Sequence, residues 1–129
     1  MEKRSFQVNS KLLPAGFPRE FDAHIYFRSE EMELATSLRD KMKAHFKDVT
    51  FFVGDMIDVP IGPHPMPMFE ANFPQEIFAE VVLWLMKERG SLNVLVHPLS
   101  GDDYWDHTQG AMWLGESVRL DYSRFLVGN

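Results

Sequence analysis

Apolar and polar residues alternate along Phe21-Asp-Ala-His-Ile-Tyr-Phe-Arg28, with Ala23, Ile25 and Phe27 on one side and His24, Tyr26 and Arg28 on the other. That period of two is the spacing of a strand with one buried face. The period changes at Ser29. A capping hydroxyl is followed by Glu30 and Glu31 at the positive end of a helix dipole. Met32, Ala35, Leu38, Met42 and Phe46 then recur every three to four residues, so one helix face is apolar. Residues 49–53 (VTFFV) predict a second, short strand closed by Gly54-Asp55. A loop crowded with Pro60, Gly62, Pro63 and Pro65 follows, and residues 66–73 predict a third strand. Pro67 near its start suits an edge position or a later beginning. Pro74-Gln-Glu opens a second helix, whose wide apolar face is Ile77, Phe78, Val81, Val82, Leu85 and Met86; Gly90 stops it. Residues 92–97 (LNVLVH) predict a fourth strand.

The order β-α-β-β-α-β is the split βαβ pattern. It predicts an α+β, ferredoxin-like sandwich: a four-stranded antiparallel sheet in the order 4-1-3-2, with two helices on one face. Residues 1–20 form an irregular lead-in broken by Pro14, Gly16 and Pro18, residues 21–97 the core, and residues 98–129 a loop and C-terminal extension. Within the extension, residues 117–122 (SVRLDY) alternate and predict one more short strand.

A length of 129 residues predicts one domain, and an apolar share of 45% is enough to build its core. The net charge of −6, without a Lys/Arg cluster, argues against nucleic acid and anionic lipid as partners. The longest apolar run, Val81 to Met86, is too short to span a bilayer. The first twenty residues lack the apolar stretch of a signal peptide. There is no cysteine, which removes disulfides, iron–sulfur clusters, thiolate zinc and a cysteine nucleophile together. A cytoplasmic protein is expected, in which any metal is held by histidine and carboxylate. No Gly-rich phosphate loop, HExxH or GxSxG occurs.

The expected strand order sets the start of the first strand beside the ends of the third and fourth. If Ile25, Phe27, Val94, Val96, Phe69 and Phe73 face the helices, then His24, His97 and Glu70 face away, together at one end of the open sheet face. The turn-rich segment from His97 to His107 folds back there and brings Asp102, Asp103, Asp106 and His107. Two histidines and a carboxylate form the facial triad of non-haem Fe(II) oxygenases, and a tri-histidine set through His107 is the rival. The simpler reading makes them half-exposed strand histidines with ordinary hydrogen bonds.

His64, between Pro63 and Pro65, is rigidly presented as an acid/base group or a ligand, or is a plain turn residue. Strand geometry alone sets it near the opposite end of the third strand, so a loop excursion or a dimer partner must bring it to His24. His45 suits a helix C-terminus, and Asp102 and Asp103 suit turns. Met66 and Met68 read as packing residues, and Trp105 and Trp113 as pocket walls or sheet cover. Tyr26 projects from the face of His24 and would contact an aromatic substrate or a second subunit.

Asp22-Ala-His24-Ile-Tyr26-Phe, the Gly62-Pro-His64-Pro65 turn followed by Pro67-Met-Phe69, and the loop from His97-Pro98 to Asp106-His107 together resemble the DOPA 4,5-dioxygenase family, over about residues 20–122. The resemblance implies extradiol cleavage of a catechol ring by mononuclear non-haem Fe(II) with dioxygen, L-DOPA being the founding substrate. The family's histidines would map onto His24, His64, His97 and His107. His24 and His97 are then ligands, with Glu70 or His107 completing the set. Whichever of His64 and His107 is not coordinated becomes the acid/base, since imidazole exchanges protons near neutral pH. Arg28, Arg119 and Arg124 are equal candidates for a substrate carboxylate.

The exposed sheet face calls for a cover, expected from a sheet-to-sheet homodimer with help from the C-terminal segment. Two rivals stand beside the dioxygenase: a ferredoxin-like dimer that binds a small molecule without chemistry, and a zinc hydrolase at the same histidines.

Overall fold

The computed structural model describes residues 16–125; most of the expected lead-in, Pro14 included, and residues 126–129 lie outside the described residues. The first alternating stretch is strand β1 (Glu20–Tyr26). The helix start at Ser29 is a 3-10 turn, Ser29–Glu31, running into helix α1 (Met32–His45), which buries Ala35, Leu38 and Met42. Glu31 holds that start: its carboxylate accepts from the Arg28 backbone N–H at 2.9 Å and from the Ser91 hydroxyl at 2.8 Å.

Strand β2 is only Phe52–Val53, shorter than the apolar run at 49–53 predicts. It lies at the sheet edge, where only two residue pairs form before Gly54 donates to the Glu70 carbonyl at 2.7 Å. Strand β3 (Met68–Pro74) starts after Pro67, one of the two positions its proline suits. A 3-10 turn, Gln75–Ile77, leads into helix α2 (Phe78–Glu88). Gly90, at φ 59°, follows the helix in the left-handed conformation that stops it. Strand β4 is Asn93–Pro98. The segment expected as loop contains a short helix, α3 (Asp103–His107), capped by the Asp102 side chain on the Trp105 N–H at 3.1 Å.

All paired strands are antiparallel, in the order β2-β3-β1-β4-β5. The four expected strands keep their expected order, but the sheet has a fifth, β5 (Met112–Leu114), beside β4. The predicted strand at 117–122 does not form. Gly115 turns the chain with φ 84°, and the Glu116 N–H bonds to the Asn93 side-chain oxygen at 2.8 Å, which leads the backbone off the sheet. The alternation there reflects packing, with Val118 and Leu120 against the sheet, not strand pairing. The chain closes with a 3-10 turn, Tyr122–Phe125.

Both helices pack on one sheet face. Ala35, Leu38, Met42, Val81 and Leu85 meet Phe21, Ala23, Ile25, Phe69, Ala71, Phe73, Val94 and Val96. The other face is not open. Tyr26, Met68 and Leu95 are covered by Ile57 and Met66 from the β2–β3 connection and by Ala111, Trp113, Val118 and Leu120 from the C-terminal segment. The cover expected from a second subunit is thus supplied over these residues by the chain itself. No helix among the described residues is long and apolar enough to cross a membrane.

Candidate metal centre

The register puts side chains of one parity on the covered face. Asp22 pairs with His97 across β1 and β4, and His24 pairs with Glu70 across β1 and β3. Two more elements bring histidines to the same place. The β2–β3 connection carries His64, and α3 carries His107. All four imidazoles are buried, none more than 8% exposed.

His24 is central. Its ring centroid lies 4.1 Å from that of His64, 5.1 Å from His97 and 6.4 Å from His107. His97 and His107 are 4.1 Å apart. The Nε2 atoms of His24 and His97 approach to 3.0 Å. Two sets of three ligand atoms, each within 4.8 Å of one another, share His24: His24, His64 and His107, and Asp22, His24 and His97.

The second nitrogen of each ring decides what the first can do. His97 Nδ1 donates to the Pro98 carbonyl at 2.8 Å, and His107 Nδ1 to the Asp103 carbonyl at 2.7 Å. In the neutral rings both Nε2 atoms are therefore lone pairs. His64 Nδ1 instead lies 2.7 Å from the Tyr26 hydroxyl. Burial, then the charge of Tyr122, raises the Tyr26 pKa, so the group stays a phenol. A phenol is a stronger donor than an imidazole N–H, so Tyr26 donates to Nδ1 and the neutral His64 ring keeps its proton on Nε2. Burial, followed by mutual repulsion, keeps the His24, His64 and His107 rings neutral. It holds His24 well below its ordinary value, with His64, His97 and His107 adding to the effect. It pushes His64 down to about 4, with His107 and His97 adding. His107 is lowered by burial and His97, partly opposed by its bond to Asp103 and by the charges of Asp103 and Asp106.

This donor set fits a divalent cation. His24 Nδ1 is buried without a hydrogen-bond partner, and Glu70 Oε2 is 3.9 Å away. If His24 is protonated on Nδ1, two lone pairs face each other at 3.0 Å. If it is protonated on Nε2, a bare lone pair on Nδ1 faces a carboxylate. A metal ion on the Nε2 side removes the conflict, and ligating histidines ordinarily hold their other nitrogen on a carbonyl or carboxylate, as His97 and His107 do.

The structure brings together His24, His97, His107 and His64. The last arrives by a loop excursion within one chain, so its expected need for either that or a partner is met without the partner. Glu70 stands beside His24 but belongs to neither set of ligand atoms. Its carboxyl is pushed up by burial and by the charge of Asp22. Tyr26, expected to meet substrate, is buried with its hydroxyl on His64 and its ring stacked on Trp113 at 5.9 Å. Arg28 is engaged by Glu30 and Glu31, and Arg124 by Asp121. His45 ends α1 and stacks on Trp84, 5.7 Å between centroids. Asp22 is the residue that sequence reasoning missed. It shares the parity of His24, lies opposite His97 and is fixed by the Asn72 amide at 3.0 Å.

Comparison with known proteins bears on this geometry. Residues 21–124 match the profile of the Dopa 4,5-dioxygenase family. A protein of Botryotinia fuckeliana named "Uncharacterized 21.2 kDa protein" is 34% identical, over 95% of this chain and 72% of that one. A "DOPA 4,5-dioxygenase" of Amanita muscaria is 36% identical, over 84% of this chain and 50% of its own length. A crystal structure from Nostoc punctiforme, of a protein named as a candidate dioxygenase, superposes with a TM-score of 0.79 at 35% identity, covering 84% of this chain and 92% of that one.

Proposed function

The chain belongs to the Dopa 4,5-dioxygenase family, and from that premise we propose that it is a non-haem Fe(II)-dependent extradiol dioxygenase that opens a catechol ring with dioxygen, L-DOPA or a similar catechol being the substrate. The observation that carries this reading is the 3.0 Å approach of two histidine nitrogens inside a buried group of four imidazoles. Bound iron would supply adjacent positions for a catechol and for dioxygen and pass electron density between them.

His24, His97 and His107 would hold the ion, His24 being the residue that shares one set of ligand atoms with His97 and the other with His107. The Nδ1 atoms of His97 and His107 are committed to carbonyls, which leaves their Nε2 lone pairs available. Asp22 stands within reach of His24 and His97 and would offset the metal charge. His64 is the acid/base. The Tyr26 phenol on Nδ1 orients the ring for that role, and burial favours its neutral form. Burial of all four rings excludes bulk water from the reacting atoms. The strand order and the two helices on one face support assigning the core to the ferredoxin-like type. A cytoplasmic homodimer belongs to the same proposal.

The test is oxygen uptake and visible absorbance after protein purified without air is loaded with Fe(II) and given L-DOPA and dioxygen. A yellow product that requires dioxygen and disappears in His24→Ala and His97→Ala is expected. Turnover that proceeds without dioxygen would replace this reading with a zinc hydrolase. A protein that takes up no metal would leave a binding module.

A further inference from the structure

Asp106 is 1% exposed, the one buried acidic side chain among the described residues. Its carboxylate is engaged by a single serine. Oδ2 accepts from the Ser100 backbone N–H at 3.0 Å, and Oδ1 from the Ser100 hydroxyl at 2.6 Å. Ser100 Oγ in turn accepts from the Asp102 N–H at 3.1 Å. Both carboxylate oxygens of this buried side chain are thus spent on one residue of the preceding loop. Its position gives it a second role. Ser100 lies three residues beyond His97, and Asp106 immediately precedes His107. Helix α3 has five residues, too few to fix its own geometry. The Ser100–Asp106 contact ties the end of β4 to α3, and so sets the segment that separates the two imidazoles.

We propose that Asp106 is a positioning residue for the metal centre: through Ser100 it holds His107 at a fixed separation from His97, so that both Nε2 atoms meet one ion. The proposal rests on reading the histidine cluster as a metal centre. It predicts weaker and altered metal binding in a chain that still folds.

Full-length protein is titrated with Co(II) under argon, reading the ligand-field absorption and the dissociation constant, with thermal unfolding measured on the same samples. Asp106→Asn is expected to bind Co(II) about 10–100-fold more weakly, the usual effect of losing a group that orients a ligand, with shifted bands. Ser100→Ala, at an exposed position, should weaken binding by about 10-fold on the same grounds, and Ser100→Thr, which keeps the hydroxyl, should restore it. Ser100→Ala decides the matter if Asp106→Asn does not fold. Wild-type affinity and spectrum in the folded variants, even with lower melting temperatures, would overturn the proposal and reduce the contact to loop closure. A wild-type chain whose Co(II) spectrum is absent, or survives in His24→Ala, would instead sink the metal-centre reading and the proposal with it.

Discussion

At the scale of single residues, what separates the four histidines is not where they sit but what holds their second nitrogen. Backbone carbonyls fix His97 and His107 as acceptors, while a phenol fixes His64 as a donor. Tyr26→Phe removes that bond and keeps the ring on Trp113. Metal affinity should stay within about threefold of wild type, because the bond does not reach the assigned ligands. Turnover should fall about 100-fold, the low end for loss of acid–base assistance. An equal loss of affinity and turnover would make Tyr26 part of the metal framework instead. His24 and His97 were legible because strand alternation with a known strand order fixes which side chains share a face. Asp22 obeyed the same rule and was readable on it, though an aspartate one residue into a strand attracts attention only once its cross-strand partner is known. The hydroxyl of Tyr26 on His64 was not legible, because it depends on the path of a loop.

At the scale of elements, local chemistry controls where each one starts and stops. Burial pushes the Glu31 carboxyl up, but bonds from the Arg28 N–H, Ser91 and the Arg28 side chain, with the Arg28 charge, hold it below its ordinary value of 4.5. The native state therefore binds that proton less readily than the unfolded chain. The stability this group contributes is complete above 4.5 and is lost as pH falls through the lower native value. Glu31→Gln should cost about 1 kcal/mol at neutral pH and flatten the acid limb of a urea-midpoint profile; parallel profiles would show that the cap contributes nothing. Gly110 shows a different constraint. A Cβ there would lie 2.5 Å from Cζ3 and 2.7 Å from Cε3 of Trp105, on the helix that carries His107. Gly110→Ala should lower stability by about 1–3 kcal/mol in chemical denaturation, as overpacking does. β1, β4 and both long helices were predicted from periodicity because each has one clearly buried face. β2 was predicted but at greater length, and α3 was not predicted, since an edge strand of two pairs and a helix of five residues are set by neighbours rather than by their own pattern.

At the scale of the whole molecule, one chain completes the centre. The β2–β3 connection is clamped by reciprocal backbone bonds between Ile61 and His64, at 3.1 and 2.9 Å, and by the Asp121 N–H on the Pro63 carbonyl at 2.8 Å. That last bond reaches across much of the sequence, which is why His64 could not be placed from its neighbours. Mixing His64→Ala with His97→Ala protein, under conditions that exchange subunits, should restore no turnover. Recovery approaching about a quarter of wild type would mean that the centre is shared between copies. The register behind this arrangement has a consequence for handling the protein. The alternation that buries Ile25 also aims His24, so a slip of one residue in β1 would turn the imidazole into the phenylalanine-rich core and leave the isoleucine in the histidine cluster. On the proposed metal-centre reading a mispaired chain would lose His24 as a ligand, and the stoichiometry of loading would double as a count of correctly threaded molecules in any preparation.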